Sequence, residues 1–181
     1  MHHWIVLFRG INVGGNNIVP MEQLVEVLQN LGCQQVKTYI QSGNVLLEHA
    51  LSDKQALALL ICEQVSEAFA FKVSIMLLSV EEFRCAAKQN PFPQAENEGK
   101  TLHLYFLGAK PINADLAGLE ASKNGSELYQ IVDQVFYLHA PDGIGRSKLA
   151  AKAEKLLGVK VTARNWNTVN KLLGISGEDA G

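Results

Sequence analysis

Three observations predict an α+β protein made of two small units in tandem, each with an antiparallel sheet and the element order β-α-β-β-α-β. Short β-rich runs alternate with amphipathic helical stretches in that order through the first half of the chain. The second half repeats the order loosely. Between the halves lies "NPFPQAENEG", a proline-bearing polar stretch of the kind that separates packed units. The order is the split pattern of a ferredoxin-like fold, in which two helices cover one face of the sheet. The expected boundaries are 1–79 for the first ferredoxin-like unit, 80–100 for a helical linker and elbow, and 101–175 for the second unit with a terminal helix.

Taken in order, Trp4–Arg9 is a short apolar run expected of a central strand, and "GINVGGNN" after it is a glycine- and asparagine-rich loop. In "PMEQLVEVLQNLG", Pro20 suits the start of a helix and Gly32 its stop. Leu24, Val27, Leu28 and Leu31 give that helix one apolar stripe. "VKTYIQSGNVLLEH" reads as a hairpin turning at Ser42, Gly43 and Asn44. Ser52 and Gln55 stand at capping-box spacing before "LALLICEQVSEAF", and "FKVSIMLLS" closes the unit as a strand. A second box, Ser79 with Glu82, opens the helix "VEEFRCAAKQ".

In the second half, "TLHLYFLG" is a strand and "NADLAGLEASK" a short helix, and "SELYQIVDQVFYLHA" is a hairpin turning at Asp133 and Gln134. "RSKLAAKAEKLLG" is a helix, "VKV" a short strand, and "ARNWNTVNKLLG" a last helix for which Thr162 is the expected cap. The tail "ISGEDAG" is expected to fray.

The composition, 48% apolar and 19% charged, is that of a globular chain with a core. A net charge of -2 gives no overall pull toward nucleic acid or an anionic membrane. The charge is unevenly spread. Asp142–Leu172 carries seven Lys/Arg against two acids, so it is +5 and the remainder is -7. Cys33, Cys62 and Cys85 are odd in number and lack Cys-x-x-Cys spacing, so no disulfide framework or zinc site is expected and a cytoplasmic setting is. "WIVLF" is too short for a signal peptide, and no run approaches membrane-spanning length.

Fold logic then places loops together. In each split unit the first and second strands run parallel, so the first loop, "RGINVGGNN", shares an edge with the turn "QSGN". In the second unit, "APDGIGRS" and "TARN" should leave one edge, with two helix starts offering unpaired N–H groups beside Arg146, Lys148 and Arg164. "GIGRS" has the strand-loop-helix context of a phosphate loop. It departs from Gly-x-x-x-x-Gly-Lys-[Ser/Thr] at Ala140 and Arg146, so nucleotide hydrolysis is not predicted. Ser147 also reads as a plain helix cap. Lys148, Lys152 and Lys155 form one helical stripe that suits a solvated face. His103 or His139 could act as a general base, yet no nucleophile, paired carboxylates or metal-ligand spacing accompanies them.

The blocks "FRGINVGGNNIVPMEQL", "VKTYIQSGNVLL", "NPFP", "GIGRSKL" and "TARNWNTVNKL" resemble, in order and spacing, the bacterial proteins grouped as domain of unknown function 1697. The resemblance runs from about Trp4 to Leu173. It implies two small ferredoxin-like α+β domains and no established reaction. It also implies that Arg9, Gly10, Asn12, Gly14 and Gly15 form one signature loop and Tyr39, Ser42, Gly43 and Asn44 a second. Arg146, Ser147 and Lys148, with Thr162, Arg164, Asn165 and Trp166, complete the set. Asn16 stands where the family's pattern suggests lysine or arginine, which makes the first loop less basic.

Together these readings predict a protein that binds a phosphorylated or otherwise anionic ligand, nucleotide-like or a nucleic-acid backbone, in a cleft between the units. The expected ligand-binding set is Arg9, Asn12, Gly14, Gly15, Asn16, Ser42, Asn44, Gly145, Arg146, Ser147, Lys148, Thr162, Arg164 and Asn165. No cofactor, metal or membrane partner is expected, and the net charge does not favour nucleic acid. An enzyme acting on such a ligand and a protein-interaction module are the competing readings.

Overall fold

The computed structural model describes residues 1–178, the last of these as backbone only. The chain forms two compact units, one of residues 1–85 with the C-terminal stretch from Leu172, the other Ala86–Lys171. No helix among the described residues is long and apolar enough to cross a membrane.

The first unit holds β1 (His2–Arg9), α1 (Met21–Asn30), β2 (Gln34–Tyr39), β3 (Asn44–His49), α2 (Lys54–Phe69) and β4 (Ser74–Ser79), with sheet order β2-β3-β1-β4. Every pairing is antiparallel. Trp4, Val6 and Phe8 alternate onto the face that meets Leu24 and Leu28 of α1 and Leu57, Ile61 and Val65 of α2. Leu28 and Leu57 are fully buried, each worth about 1.5–3 kcal/mol. The helix stripe predicted for α1 is the one buried. At its end, Gly32 takes φ +87, the left-handed conformation that stops a helix.

α2 corrects one expectation. Its cap is Asp53, whose Oδ1 accepts from Gln55 N at 2.9 Å and Ala56 N at 3.0 Å. Ser52 lies one residue too early; a carboxylate reaching two N–H groups outcompetes it. The second box forms as predicted: at the start of α3 (Val80–Lys88), Glu82 N donates to Ser79 Oγ and Ser79 N donates to Glu82 Oε2.

The second unit repeats the topology with β5 (Leu102–Leu107), α4 (Leu116–Ser122), β6 (Leu128–Val132), β7 (Val135–His139), α5 (Lys148–Leu157) and β8 (Val161–Asn165), in order β6-β7-β5-β8. Tyr105, Leu107, Phe136 and Leu138 face Leu119 of α4 and Leu149, Ala153 and Leu157 of α5. On the other face, the Tyr137 hydroxyl donates to Ala86 O at 2.6 Å, tying β7 to the end of α3. A 3-10 helix spans Pro93–Glu98 in the stretch read as an elbow.

The last helix, α6 (Trp166–Glu178), departs from expectation at both ends. "TARN" is the strand β8, with Thr162 paired to Phe106 and Arg164 to Leu104. Thr162 is therefore not the cap; Asn165 is, its Oδ1 accepting from Thr168 N at 2.9 Å. Pairing with β5 places the strand at Val161–Asn165, so that of the expected "VKV" run only Val161 belongs to it. At the other end, Ile175–Glu178 continue the helix where fraying was expected, and Asp179–Gly181 lie outside the described residues.

Candidate functional site

The edge of the first unit forms as topology requires. β1 and β2 are both antiparallel to β3 and hence parallel to each other, so the loop after β1 meets the β2–β3 turn. That loop is a miniature hairpin. Asn12 N donates to Asn17 O and Asn16 N to Val13 O, around Gly14 at φ +59 and Gly15 at φ +77. Two successive positive φ values are what a tight two-residue turn demands.

Asn12 fixes this hairpin in place. Its Nδ2 donates to Val19 O and to Gln41 O, both at 2.9 Å, while its Oδ1 accepts from Val19 N at 2.7 Å. Asn44 is wholly buried as the first residue of β3, and its Nδ2 donates to Tyr39 O and Ser42 Oγ. Both amides, expected to orient a ligand, donate here to backbone carbonyls, and Asn44 also to the Ser42 hydroxyl. Turns through positive φ leave carbonyls that no strand ladder satisfies, and asparagine supplies the missing donors. The exposed part of the set here is Arg9, Gly14, Gly15, Asn16 and Ser42. Sequence reasoning missed Val13, Ile18 and Ile40, which are 63%, 60% and 51% exposed on this edge. Aliphatic residues inside a glycine-asparagine loop, off any periodic stripe, were the available signal.

The second edge is the basic one. β7 and β8 are both antiparallel to β5, so both end beside its start, with His139 opposite Leu102 and Asn165 opposite His103. Beyond β7 the chain turns at Gly143 (φ +97) and closes one 3-10 turn over Ile144–Arg146, with Arg146 N donating to Gly143 O. Ser147 then caps α5, its Oγ accepting from Ala150 N at 2.9 Å. Gly145, Arg146 and Lys148 are exposed around this helix start, whereas Ser147 is buried in its capping role. Asp142, the acid of the loop, accepts from Ser126 Oγ at 2.6 Å.

The other helix start on this edge is occupied by protein. Trp166 N donates to Gly99 O, and Thr168 N to the Asn165 side chain. Strand alternation also separates the two arginines. Ala163 packs in the core with α5, so Arg164 and Thr162 lie on the opposite face of the sheet. Thr162 is buried there. Arg164 Nη1 donates to Ala163 O at 2.8 Å, and burial lowers its pKa to about 10, still a cation at neutral pH. The structure thus brings Gly145, Arg146, Ser147 and Lys148 together at α5, with Asn165 on the same edge as a cap and Arg164 behind the sheet.

On the α5 side of this sheet, burial pushes the His103 pKa down to about 4, outweighing the Thr101 backbone, which raises it, so its imidazole is neutral; its buried Nδ1 has no well-formed hydrogen bond among the described residues. Burial, reinforced by the charge of Glu127, raises Tyr105 to about 12. Glu127 is 2% exposed and accepts from Asn124 N at 3.0 Å. Its position just before an edge strand gave no sequence signal of such burial. Among the described residues, no group of three or more His, Cys, Asp or Glu is placed to hold a metal ion.

With this geometry in place, the chain can be set beside known proteins. Residues 1–137 match the family model described as "Protein of unknown function (DUF1697)". The conserved bacterial protein SP0830 of Streptococcus pneumoniae has a similar structure, with a TM-score of 0.64 and 25% sequence identity over 96% of this chain and 97% of that one. No curated protein matches the chain.

Proposed function

The chain belongs to the DUF1697 family, and from the geometry of its second unit we propose that it binds a phosphorylated or otherwise anionic ligand at the start of α5. The observation that carries this reading is the exposure of Arg146 and Lys148 on either side of a capped helix N-terminus, at the edge where β7 and β8 both end. The surrounding segment is the basic part of an otherwise acidic chain. The helix dipole favours an anion there, Gly145 is an exposed residue whose backbone can approach it, and Arg146 supplies a fork for two phosphate oxygens. Arg164, in β8 across β5 from β7, adds positive potential from behind the sheet and does not touch the ligand. Three free cysteines accord with a reducing, cytoplasmic setting for this activity.

The ligand is nucleotide-like or a nucleic-acid backbone. Thermal unfolding with adenosine monophosphate, inorganic phosphate and a short RNA separates these. The reading expects stabilisation that rises with ligand concentration and disappears in Arg146→Ala with Lys148→Ala. If RNA is the partner, affinity falls steeply with salt. Stabilisation that survives the double substitution would overturn the assignment.

A further inference from the structure

A cavity of about 330 Å³ opens in the first unit, at the end of β1 away from the signature loop. Its wall is formed by Met1–Trp4 at the start of β1, by Ser79 and Val80 where β4 passes into α3, by Arg84 one turn further on, and by Ser176 of α6. The volume is in the range of small-molecule sites.

Arg84 sets the chemistry of this cavity. The side chain is half-buried, and its guanidinium spends one N–H, Nη2 donating to Ser176 O at 3.2 Å. It has no ion pair among the described residues. A guanidinium carries five donors, and a partly desolvated cation gains from an anion within reach. The first turn of α3 adds to this. The Ser79 hydroxyl accepts from Glu82 N, which leaves the N–H groups of Val80 and Glu81 at a helix start in the same wall.

Glu81 also lines the cavity and is exposed at its rim. With the Glu81 carboxylate in the same wall as Arg84, a second negative charge on a ligand meets a like charge, which favours a monoanion over a dianion. Val80, half-buried in this wall, and the exposed Met1 side chain offer apolar surface for a hydrocarbon body. We propose that this cavity is a binding site for a small monocarboxylate with an apolar body, its carboxylate bidentate on Arg84. The site is separate from the anion site at α5, and neither depends on the other.

The test is amide NMR of the full chain with isocaproate, isocaproamide and glutarate. Isocaproate should shift the Ser79, Val80, Glu81 and Ser176 signals saturably. The uncharged amide and the dianion should each bind roughly tenfold more weakly or worse, the loss expected for a charge-assisted pair. Arg84→Gln should abolish the shifts while the rest of the spectrum stays folded. Arg84→Lys, which keeps the charge without the fork, should weaken them by a smaller factor. Equal binding of the acid and its amide, shifts unchanged in both variants, or no saturable shift at these four positions would overturn the proposal.

Discussion

Gly43→Ala tests whether the first edge is as tightly built as its geometry implies. Gly43 sits at φ +75, and its carbonyl accepts from Phe8 N at 2.8 Å, so the turn lies directly on β1. A Cβ at this position would stand 2.6 Å from Phe8 Cβ and 2.7 Å from Ile11 Cδ1. Two costs follow. The left-handed backbone costs an alanine roughly 1–2 kcal/mol. The overlap with Phe8 falls on a Cβ that cannot swing away, and forcing extra volume into such a site costs roughly 1–3 kcal/mol. Together the loss is about 2–5 kcal/mol. Gly14→Ala is the control, because φ there is +59 but nothing lies within 4 Å, so the backbone cost of roughly 1–2 kcal/mol stands alone. Urea denaturation read from amide signals of residues 1–85 follows the first unit alone. Equal losses in the two variants would refute the close approach of the turn to β1.

Other expectations rest on single contacts. Asn165→Ala should cost about 1 kcal/mol by removing the cap of α6, and Asn165→Asp should restore most of it, whereas Thr162→Val should leave the helix start unaffected; denaturation midpoints of the three decide this. Tyr137→Phe strands the Ala86 carbonyl and should cost about 1–3 kcal/mol in the same assay. His103 gives a pH dependence. Its folded pKa, about 4, lies below the ordinary value of 6.5, so the unfolded chain binds the proton first as pH falls. Its contribution is complete above pH 6.5, is lost as pH falls toward 4, and amounts to about 3 kcal/mol. His103→Gln should flatten that part of the stability profile, and an unchanged slope would remove His103 as its cause.

The architecture was legible because periodicity, caps and turns all pointed the same way. Leu24 and Leu28 marked the buried face of α1, the Ser79–Glu82 box marked the start of α3, and Asp133–Gln134 marked the turn between β6 and β7. Local signals failed where a non-local partner decided the outcome. Thr162–Asn165 read as a helix start until pairing with β5 drew it into a strand, and that pairing turned Arg164 to the face away from α5. Ser52 lost its capping role to a neighbouring carboxylate. The candidate site was legible in part for the same reason. Topology correctly brought the loops to their edges, but which asparagines would be spent on backbone depended on carbonyls that no spacing rule reveals. Glu127 and Arg84 gave no signal, since burial of a single charged side chain is a property of packing.

The most direct test of the anion site is amide NMR of the full chain titrated with inorganic phosphate. The account predicts saturable shifts centred on Gly145–Lys148, weakened by added salt and lost in Arg146→Ala. A titration that leaves those four amides still, or moves them equally without Arg146, would contradict it.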